Sequence, residues 1–206
     1  MFDFDGTLAD TLRVGLRAYN TIAPALGLRT VADDELGALR RRSTREMLGE
    51  FGIPLTKLPR LVQRVRREMN ASMHTVELFD GVPDCLGRLH AAGIGVGVVS
   101  SNARENIAAC LERNRVFDLV EFIHTSTHLF GKQRALRRLL RTRRLAAHEV
   151  AYVGDQDRDV VAARACGLQA VAACWGYQSR EALACHDPDL LATVPSQIAE
   201  YVLGVA

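Results

Sequence analysis

The sequence predicts an α/β fold, a Rossmann-like doubly wound parallel sheet with an all-helical cap domain inserted after the first strand. Two observations carry this prediction. From about residue 80 onward, apolar runs alternate with helical patterns, and the run IGVGVVSSN is as continuously apolar as a strand buried on both faces of a parallel sheet. Residues 11 to 76 instead carry apolar side chains three and four positions apart, which predicts consecutive helices.

The opening segment MFDFDG predicts a first strand. Side chains two positions apart in a strand face the same way, so Asp3 and Asp5 are expected on one face, and Phe2 and Phe4 on the other. Two carboxylates this close repel each other, which raises the pKa of at least one of them unless a cation lies between. Only Met1 and Phe2 precede Asp3, so we expect this strand to be short.

The remaining elements follow in order. Three consecutive helices are predicted at 11–28, 32–53 and 56–76, with Asp33 and Thr56 as N-caps. Helices and strands then alternate: helix 82–93, strand 94–102, helix 103–114, strand 119–125, helix 132–145, strand 149–156, helix 158–167 and strand 168–174. The predicted domains are therefore an α/β core, residues 1–10 and 79–206, and a helical cap, residues 11–78.

Polar residues stand where three predicted strands end. Asp3 and Asp5 end the first strand, Ser100 and Ser101 follow an apolar run, and Asp155 follows another. Ligands of such sheets bind beyond the carboxyl ends of the strands, so we expect these side chains to gather at one edge, with the cap above them.

Composition narrows the class of protein. The net charge of +2 argues against nucleic-acid binding. The sequence has no run of eighteen or more apolar residues, so no membrane span is predicted. Five cysteines, odd in number and never spaced as CxxC, argue against a disulfide framework and a zinc site, and they fit a reducing compartment. We expect a cytoplasmic monomer or homodimer with no nucleic-acid and no membrane partner.

Four motifs occur in a fixed order along the chain: FDFDGTLAD, VVSSN, Lys132 within FGKQRALRRLL, and YVGDQDRDVVAARACG. In these motifs the chain resembles the haloacid dehalogenase-like hydrolase superfamily, in its phosphoglycolate-phosphatase-like group with a helical cap. The resemblance implies a Mg²⁺-dependent phosphatase that hydrolyses a small-molecule phosphate ester.

The resemblance also implies roles for the acidic residues. Asp3 would be the nucleophile that forms an aspartyl phosphate, and Asp5 the general acid and then the general base. Mg²⁺ would be held by Asp3, the backbone carbonyl of Asp5 and Asp155, with Asp159 as a further ligand or support.

The implied phosphate-binding positions are Gly6, Thr7, Ser100, Ser101, Asn102 and Lys132. Ser100 is preferred over Ser101 for the phosphate contact, because it directly follows the apolar run. Lys132 would neutralise charge on the phosphoryl group.

The cap carries the run RRRSTR, in a region where members of the family recognise the leaving group. Arg42 and Arg45, with Arg41 and Ser43 beside them, are candidate contacts for an anionic organophosphate. Residues outside the motifs are given structural roles: His124 and His128 lack supporting acids, and Trp175 is expected to pack at or beside the site.

Three alternative functions fit the sequence to different degrees. Dehalogenase activity is disfavoured, because those enzymes lack an acid–base Asp two residues after the nucleophile. A β-phosphoglucomutase-like mutase shares both core and cap type, and nothing in the sequence separates it from a phosphatase. A non-catalytic, arginine-rich binding module fits the arginine runs but not the low net charge.

Overall fold

The computed structural model of the chain describes residues 1–54, 56–125 and 131–204 and has a mixed α/β architecture. The helices are α1 Leu12–Ile22, α2 Leu36–Leu39, α3 Thr44–Glu50, α4 Leu58–Asn70, α5 Val82–Ala91, α6 Arg104–Arg113, α7 Lys132–Arg143, α8 Asp157–Arg164, α9 Arg180–Ala184 and α10 Ser196–Leu203. The strands are β1 Gly97–Ser100, β2 Phe122–Thr125, β3 Ala151–Gly154, β4 Gln169–Ala173 and β5 Leu190–Ala192.

All strand pairs are parallel. β1 pairs with β2, and β4 lies between β3 and β5. Phe2 joins these two groups through bridges to Val98 and Val153. Its N–H donates to the Gly97 carbonyl at 2.8 Å, and the N–H of Asp3 donates to the Val153 carbonyl at 2.8 Å. The opening segment therefore lies at the centre of the sheet, between β1 and β3.

Helices cover both faces of this sheet, as the side chains of β1 show. Val98 packs in a core with α5, α6 and α10, whereas the adjacent Val99 packs in a second core with α7 and α8. Successive side chains of a buried strand point to opposite layers, and this arrangement is the doubly wound fold. The predicted fold class is confirmed.

The predicted first strand is too long. The chain leaves the sheet after Asp3, because the Phe4 carbonyl accepts hydrogen bonds from the N–H groups of Leu8 and Ala9, each at 3.0 Å. Gly6 has φ +78°, a left-handed conformation that suits a turn and not a strand. Asp5 therefore lies in a turn beyond the strand.

The second predicted helix, 32–53, is also wrong as one element. It divides into a 3₁₀ turn at Asp33–Glu35, α2 and α3. The hydroxyl of Ser43 accepts the Glu46 N–H at 3.2 Å and the Glu46 carboxylate accepts the Ser43 N–H at 2.8 Å, a capping box that starts α3. The third helix begins at Leu58, so Thr56 is not its N-cap.

β5 was not predicted. Only three residues, Leu190–Ala192, pair with β4, between DPD and TVP, and a run this short carries no periodicity. No helix among the described residues is long and apolar enough to cross a membrane. The boundaries drawn between core and cap stay a prediction.

Candidate active site

Three buried carboxylates form the centre of the candidate site. Asp3 ends the central segment of the sheet, Asp155 follows β3, and Asp159 lies in the first turn of α8. One oxygen from each lies within 4.8 Å of the others, and the three residues are 4%, 0% and 1% exposed. The carboxyl edge of the sheet thus brings together acids that the sequence separates by some 150 residues.

Asp155 is held from both sides. Its Oδ1 accepts the Thr7 hydroxyl at 3.1 Å and its Oδ2 accepts the Tyr177 N–H at 2.7 Å. Burial raises the pKa of Asp155 well above its ordinary value, and the charges of Asp159 and Asp3 raise it further. The folded chain therefore disfavours this negative charge unless a cation stands near it.

Lys132 supplies part of that compensation at the start of α7. Its Nζ lies 2.5 Å from Oδ2 of Asp3 and also donates to Oδ1 of Asp159. Burial disfavours its charge, but Asp159 and Asp3 outweigh that effect and raise its pKa. One ammonium among three carboxylates leaves excess negative charge. This set of hard oxygen donors fits a divalent metal ion.

Two glycines let the backbone close around Asp155. A Cβ on Gly6 would stand 2.2 Å from Oδ2 of Asp155. A Cβ on Gly176 would stand 2.2 Å from the Gly6 carbonyl oxygen and 2.3 Å from Cβ of Asp155. The loop after β4 is therefore packed directly against the acids.

Asp5 lies outside this cluster, on the turn beyond Asp3. Its Oδ1 accepts a hydrogen bond from Nδ2 of Asn102 at 2.9 Å. Burial raises its pKa to about 6, the charge of Asp3 adds to the rise, and the hydrogen bond from Asn102 opposes it. A carboxyl with this pKa exchanges its proton near neutral pH, as a general acid–base requires.

The two predicted serines differ in position. Ser100 is 3% exposed, and its hydroxyl oxygen accepts the Asn102 N–H at 3.0 Å, which leaves its own hydrogen available to donate. Ser101, the less favoured candidate, lines the cavity described next. Their roles stay a prediction.

A cavity of about 260 Å³ opens beside Asp3 and Asp5. Its described lining consists of Asp3, Asp5, Gly15, Tyr19, Leu61, Val62, Val65, Arg66, Met69, Ser101, Asn102, Gln156, Arg158 and Tyr177. The sheet edge supplies the acids, and the helical segment supplies an apolar wall.

The structure does not bring the predicted cap contacts to this cavity. Arg42 and Arg45 are absent from its described lining, and Arg41 and Arg45 are exposed. Nε of Arg42 lies 3.8 Å from Glu50, while Ser43 caps α3. Arg41, Arg42 and Ser43 lie in the break between α2 and α3, and Arg45 lies in the first turn of α3. The prediction of one continuous helix missed this break.

Five polar lining residues were not predicted: Tyr19, Arg66, Gln156, Arg158 and Tyr177. Three of them carried a signal. Gln156 and Arg158 lie inside GDQDRD, and Arg66 follows Val62 by four positions, on the flank of the apolar face of α4.

Three further residues were given structural roles. Trp175 is partly buried and donates from Nε1 to the Thr7 carbonyl at 3.0 Å, so it packs behind the site. His124 lies in β2, outside the described cavity lining. His128 lies outside the described residues.

Fold and site together define an α/β enzyme whose acids gather at the carboxyl edge of a parallel sheet. The family model for haloacid dehalogenase-like hydrolases matches residues 1–173. A phosphoglycolate phosphatase from Synechococcus elongatus is 37% identical over 98% of this chain and 95% of its own length. One from Xanthomonas campestris is 32% identical over 97% and 94%. A haloacid dehalogenase-like family hydrolase from Streptococcus pneumoniae has a TM-score of 0.76 over 97% and 95% of the two chains, at 22% identity.

The chain therefore belongs to the haloacid dehalogenase-like hydrolase family. The resemblance drawn from the four motifs is confirmed. So is the predicted enzyme class, a hydrolase of phosphoric monoesters.

Proposed function

We propose that this chain is a Mg²⁺-dependent phosphatase that hydrolyses a small phosphomonoester, phosphoglycolate, through an aspartyl phosphate on Asp3. The observation that carries the proposal is the buried cluster of Asp3, Asp155 and Asp159 with Lys132 against it, beside a cavity that Asp5 lines. The names of the two curated relatives support the choice of substrate.

Mg²⁺ would be held by Asp3, Asp155 and the backbone carbonyl of Asp5, with Asp159 as a further ligand or support. Three carboxylates within 4.8 Å of one another suit Mg²⁺, which prefers oxygen ligands. When bound, the ion offsets the charge of the acids and of the phosphoryl group. Lys132 contributes a second positive charge on the same side.

The reaction has two steps. A carboxylate oxygen of Asp3 attacks phosphorus, the bond from phosphorus to the ester oxygen breaks, and Asp5 gives its proton to the departing alkoxide. Asp5, now a carboxylate, takes a proton from water, whose oxygen attacks the aspartyl phosphate and releases phosphate with Asp3 restored. Proton transfer of this kind contributes about 10²–10⁴-fold. The position of Asp5 on the cavity lining supports its role.

The phosphoryl oxygens would meet donors from three segments. These are the amides of Gly6 and Thr7, the hydroxyls of Ser100 and Ser101 with the amide group of Asn102, and Nζ of Lys132. Donors fixed before the reaction stabilise charge as it develops. Burial of Thr7, Ser100 and Asn102 supports such fixed positions.

We also propose that residues 1–10 and 79–206 form the core and that residues 11–78 form a cap that closes over it. Hydrogen bonds between the two support the placement of the cap against the core. The Thr44 hydroxyl donates to Oδ1 of Asp157 at 2.7 Å, and Nε2 of Gln178 donates to the Arg42 carbonyl at 2.9 Å. Closure of this kind excludes bulk water from the reacting groups. A cytoplasmic location, part of the same proposal, is supported by five unpaired cysteines.

The test uses p-nitrophenyl phosphate and phosphoglycolate with Mg²⁺, and then with EDTA. Turnover should need the metal and disappear in Asp3→Asn. In Asp5→Asn an aryl phosphate, whose leaving group needs no acid, should still transfer its phosphoryl group, and intact-protein mass should then show one added phosphoryl group. Turnover in EDTA, or a phosphoryl group on Asp3→Asn, would contradict the proposal.

The alternatives are outcomes of the same test. Isomerisation of a sugar phosphate without net hydrolysis would favour the mutase. Salt-dependent nucleic-acid binding in a well-folded, Mg²⁺-replete sample without turnover would favour the arginine-rich binding module.

A further inference from the structure

Two arginines line the cavity together with the catalytic acids. Arg66 comes from α4 in the helical segment, and Arg158 comes from the first turn of α8 on the sheet side. They enter the same cavity of about 260 Å³ from different parts of the chain.

Each of these guanidinium groups has a buried N–H without a hydrogen-bond partner among the described residues. The atoms are Nη2 of Arg66 and Nε of Arg158. Leaving such a donor unpaired costs free energy, so its position needs an explanation. Neither arginine has an ion pair with an acid within the described part of the chain.

The two arginines differ in electrostatic surroundings. Burial lowers the pKa of Arg66 and the charge of Arg158 lowers it further, against the opposite effect of Asp5. The charges of Asp159, Asp3 and Asp155 outweigh burial at Arg158 and raise its pKa. No carboxylate of the described chain lies within ion-pair distance of either guanidinium, so an anion in the cavity would supply acceptors for the two buried donors and offset the charge of Arg66.

The wall around Arg66 is largely apolar. Tyr19, Leu61, Val62, Val65 and Met69 present carbon surface around Arg66. A planar guanidinium binds a carboxylate through two parallel hydrogen bonds, which gives it preference for that group over a hydroxyl.

We propose that Arg66 and Arg158 form a subsite for a carboxylate on the leaving group of the phosphomonoester. The inference rests on the proposed function and deepens it. The phosphoryl group lies at Asp3 and Lys132, the carboxylate lies at the two arginines, and the site prefers esters that carry both groups. Arg66 is then the residue of the helical segment that determines specificity, in place of Arg42 and Arg45.

The test compares phosphoglycolate with 2-hydroxyethyl phosphate, in which an alcohol replaces the carboxylate. The wild type should prefer phosphoglycolate in kcat/KM. In Arg66→Gln that preference should fall by about 10–100-fold, the range of one charge-assisted contact. Arg66→Lys keeps the charge but not the paired geometry and should lose part of the preference. Arg67→Gln, an exposed neighbour on α4, is the matched control.

Binding gives a second readout that does not depend on turnover. Calorimetry with phosphoglycolate should show weaker binding to Asp3→Asn/Arg66→Gln than to Asp3→Asn. An unchanged substrate ratio in a folded Arg66→Gln, or equal binding by these two proteins, would overturn the subsite and leave the phosphatase standing. Absence of turnover on both esters by the Mg²⁺-replete wild type would instead overturn the proposed function.

Discussion

On the sheet side of the cavity, charged side chains contact one another, whereas on the helical side Arg66 stands among apolar side chains in the described lining. Asp3 and Asp159 share Lys132, and Asp155 accepts two hydrogen bonds. The charged groups on the sheet side thus already contact one another or accept hydrogen bonds in the folded chain. Arg66 on the helical side, like Arg158 at the start of α8, has a buried N–H without a partner among the described residues. In the proposed function the reaction therefore belongs to the acids of the sheet edge and the choice of substrate to these two arginines, of which Arg66 is the contribution of the helical segment.

Removing Lys132 should produce the largest effect on the sheet side. Lys132→Met leaves Asp3 and Asp159 without their shared cation, which should lower the free energy of unfolding of the metal-free protein by about 3–5 kcal/mol. Activity should fall by about 10²–10³-fold, since a donor to the phosphoryl group is lost. Thermal unfolding with and without Mg²⁺ measures the first effect, and kcat the second.

Mg²⁺ should also raise the melting temperature of Lys132→Met more than that of the wild type, because the ion replaces the missing charge. The control is Lys57→Met, an exposed lysine of the helical segment. Equal Mg²⁺ shifts in Lys132→Met and the wild type would mean that the ion does not replace the charge of Lys132, and no shift in either protein would mean that the acids do not hold the ion.

A methyl group on Gly176 should have the next largest effect. Its Cβ would meet the Gly6 carbonyl and Asp155 at 2.2 and 2.3 Å, so the loop after β4 must move away from the acids. We expect a loss of about 1–3 kcal/mol in stability and of about 10²-fold in kcat. Gly49→Ala in α3 meets nothing within 4 Å and should be neutral or stabilising. Wild-type activity in Gly176→Ala would contradict this prediction, because it would show that the loop after β4 can move without loss of activity.

The contact between Cys110 of α6 and Val76 of the helical segment should make the stability of the protein fall at alkaline pH. The Cys110 thiol donates to the Val76 carbonyl at 3.6 Å, and burial raises its pKa from 9.0 to about 11. Between these values the unfolded chain loses the proton and the folded chain keeps it. The free energy of unfolding therefore falls with rising pH, by up to about 1.4 kcal/mol per pH unit. Urea unfolding from pH 8 to 11 should show a shallower decline in Cys110→Ala, and no change of slope in the exposed-site control Cys185→Ala.

Loosening the contact between Thr44 and Asp157 should have the smallest effect. Thr44→Val removes the hydroxyl donor at 2.7 Å but keeps the backbone N–H donor at 3.1 Å. Stability should fall by about 1 kcal/mol, and KM should rise several-fold with kcat nearly unchanged, because the helical segment positions Arg66. Thr21→Val, an exposed hydroxyl on α1, is the control. A fall in kcat as large as that expected for Lys132→Met would contradict the hypothesis that the helical segment affects substrate binding and not the reaction.

The sequence predicts the sheet side far better than the helical side. The motifs of the sheet edge each lie at the end of a strand or the start of a helix, so local pattern suffices to place Asp3, Lys132 and Asp155. The position of the helical segment depends on contacts with residues far away in the sequence, such as the hydrogen bond between Arg42 and Gln178. The position of Arg66 on the flank of the apolar face of α4 does not by itself show that this flank faces the acids, and Arg66 was missed for that reason.

Two local misses have simpler causes. The spacing of Ser43 and Glu46 is a readable capping box, but the helical periodicity on either side of it concealed the break. β5 is held by its pairing with β4, and a run of three residues is too short to predict that pairing.

The place of Phe2 between Val98 and Val153 has a consequence for how the enzyme is made. On the ribosome, Asp3 emerges long before either of the segments that flank it. Until β3 has been synthesised, one of the two strands that flank this segment is missing, and Asp3 lacks the Val153 carbonyl that accepts its N–H. A nascent chain stalled before residue 150 is therefore expected to be inactive, and the last quarter of the polypeptide is needed to fix its first few residues.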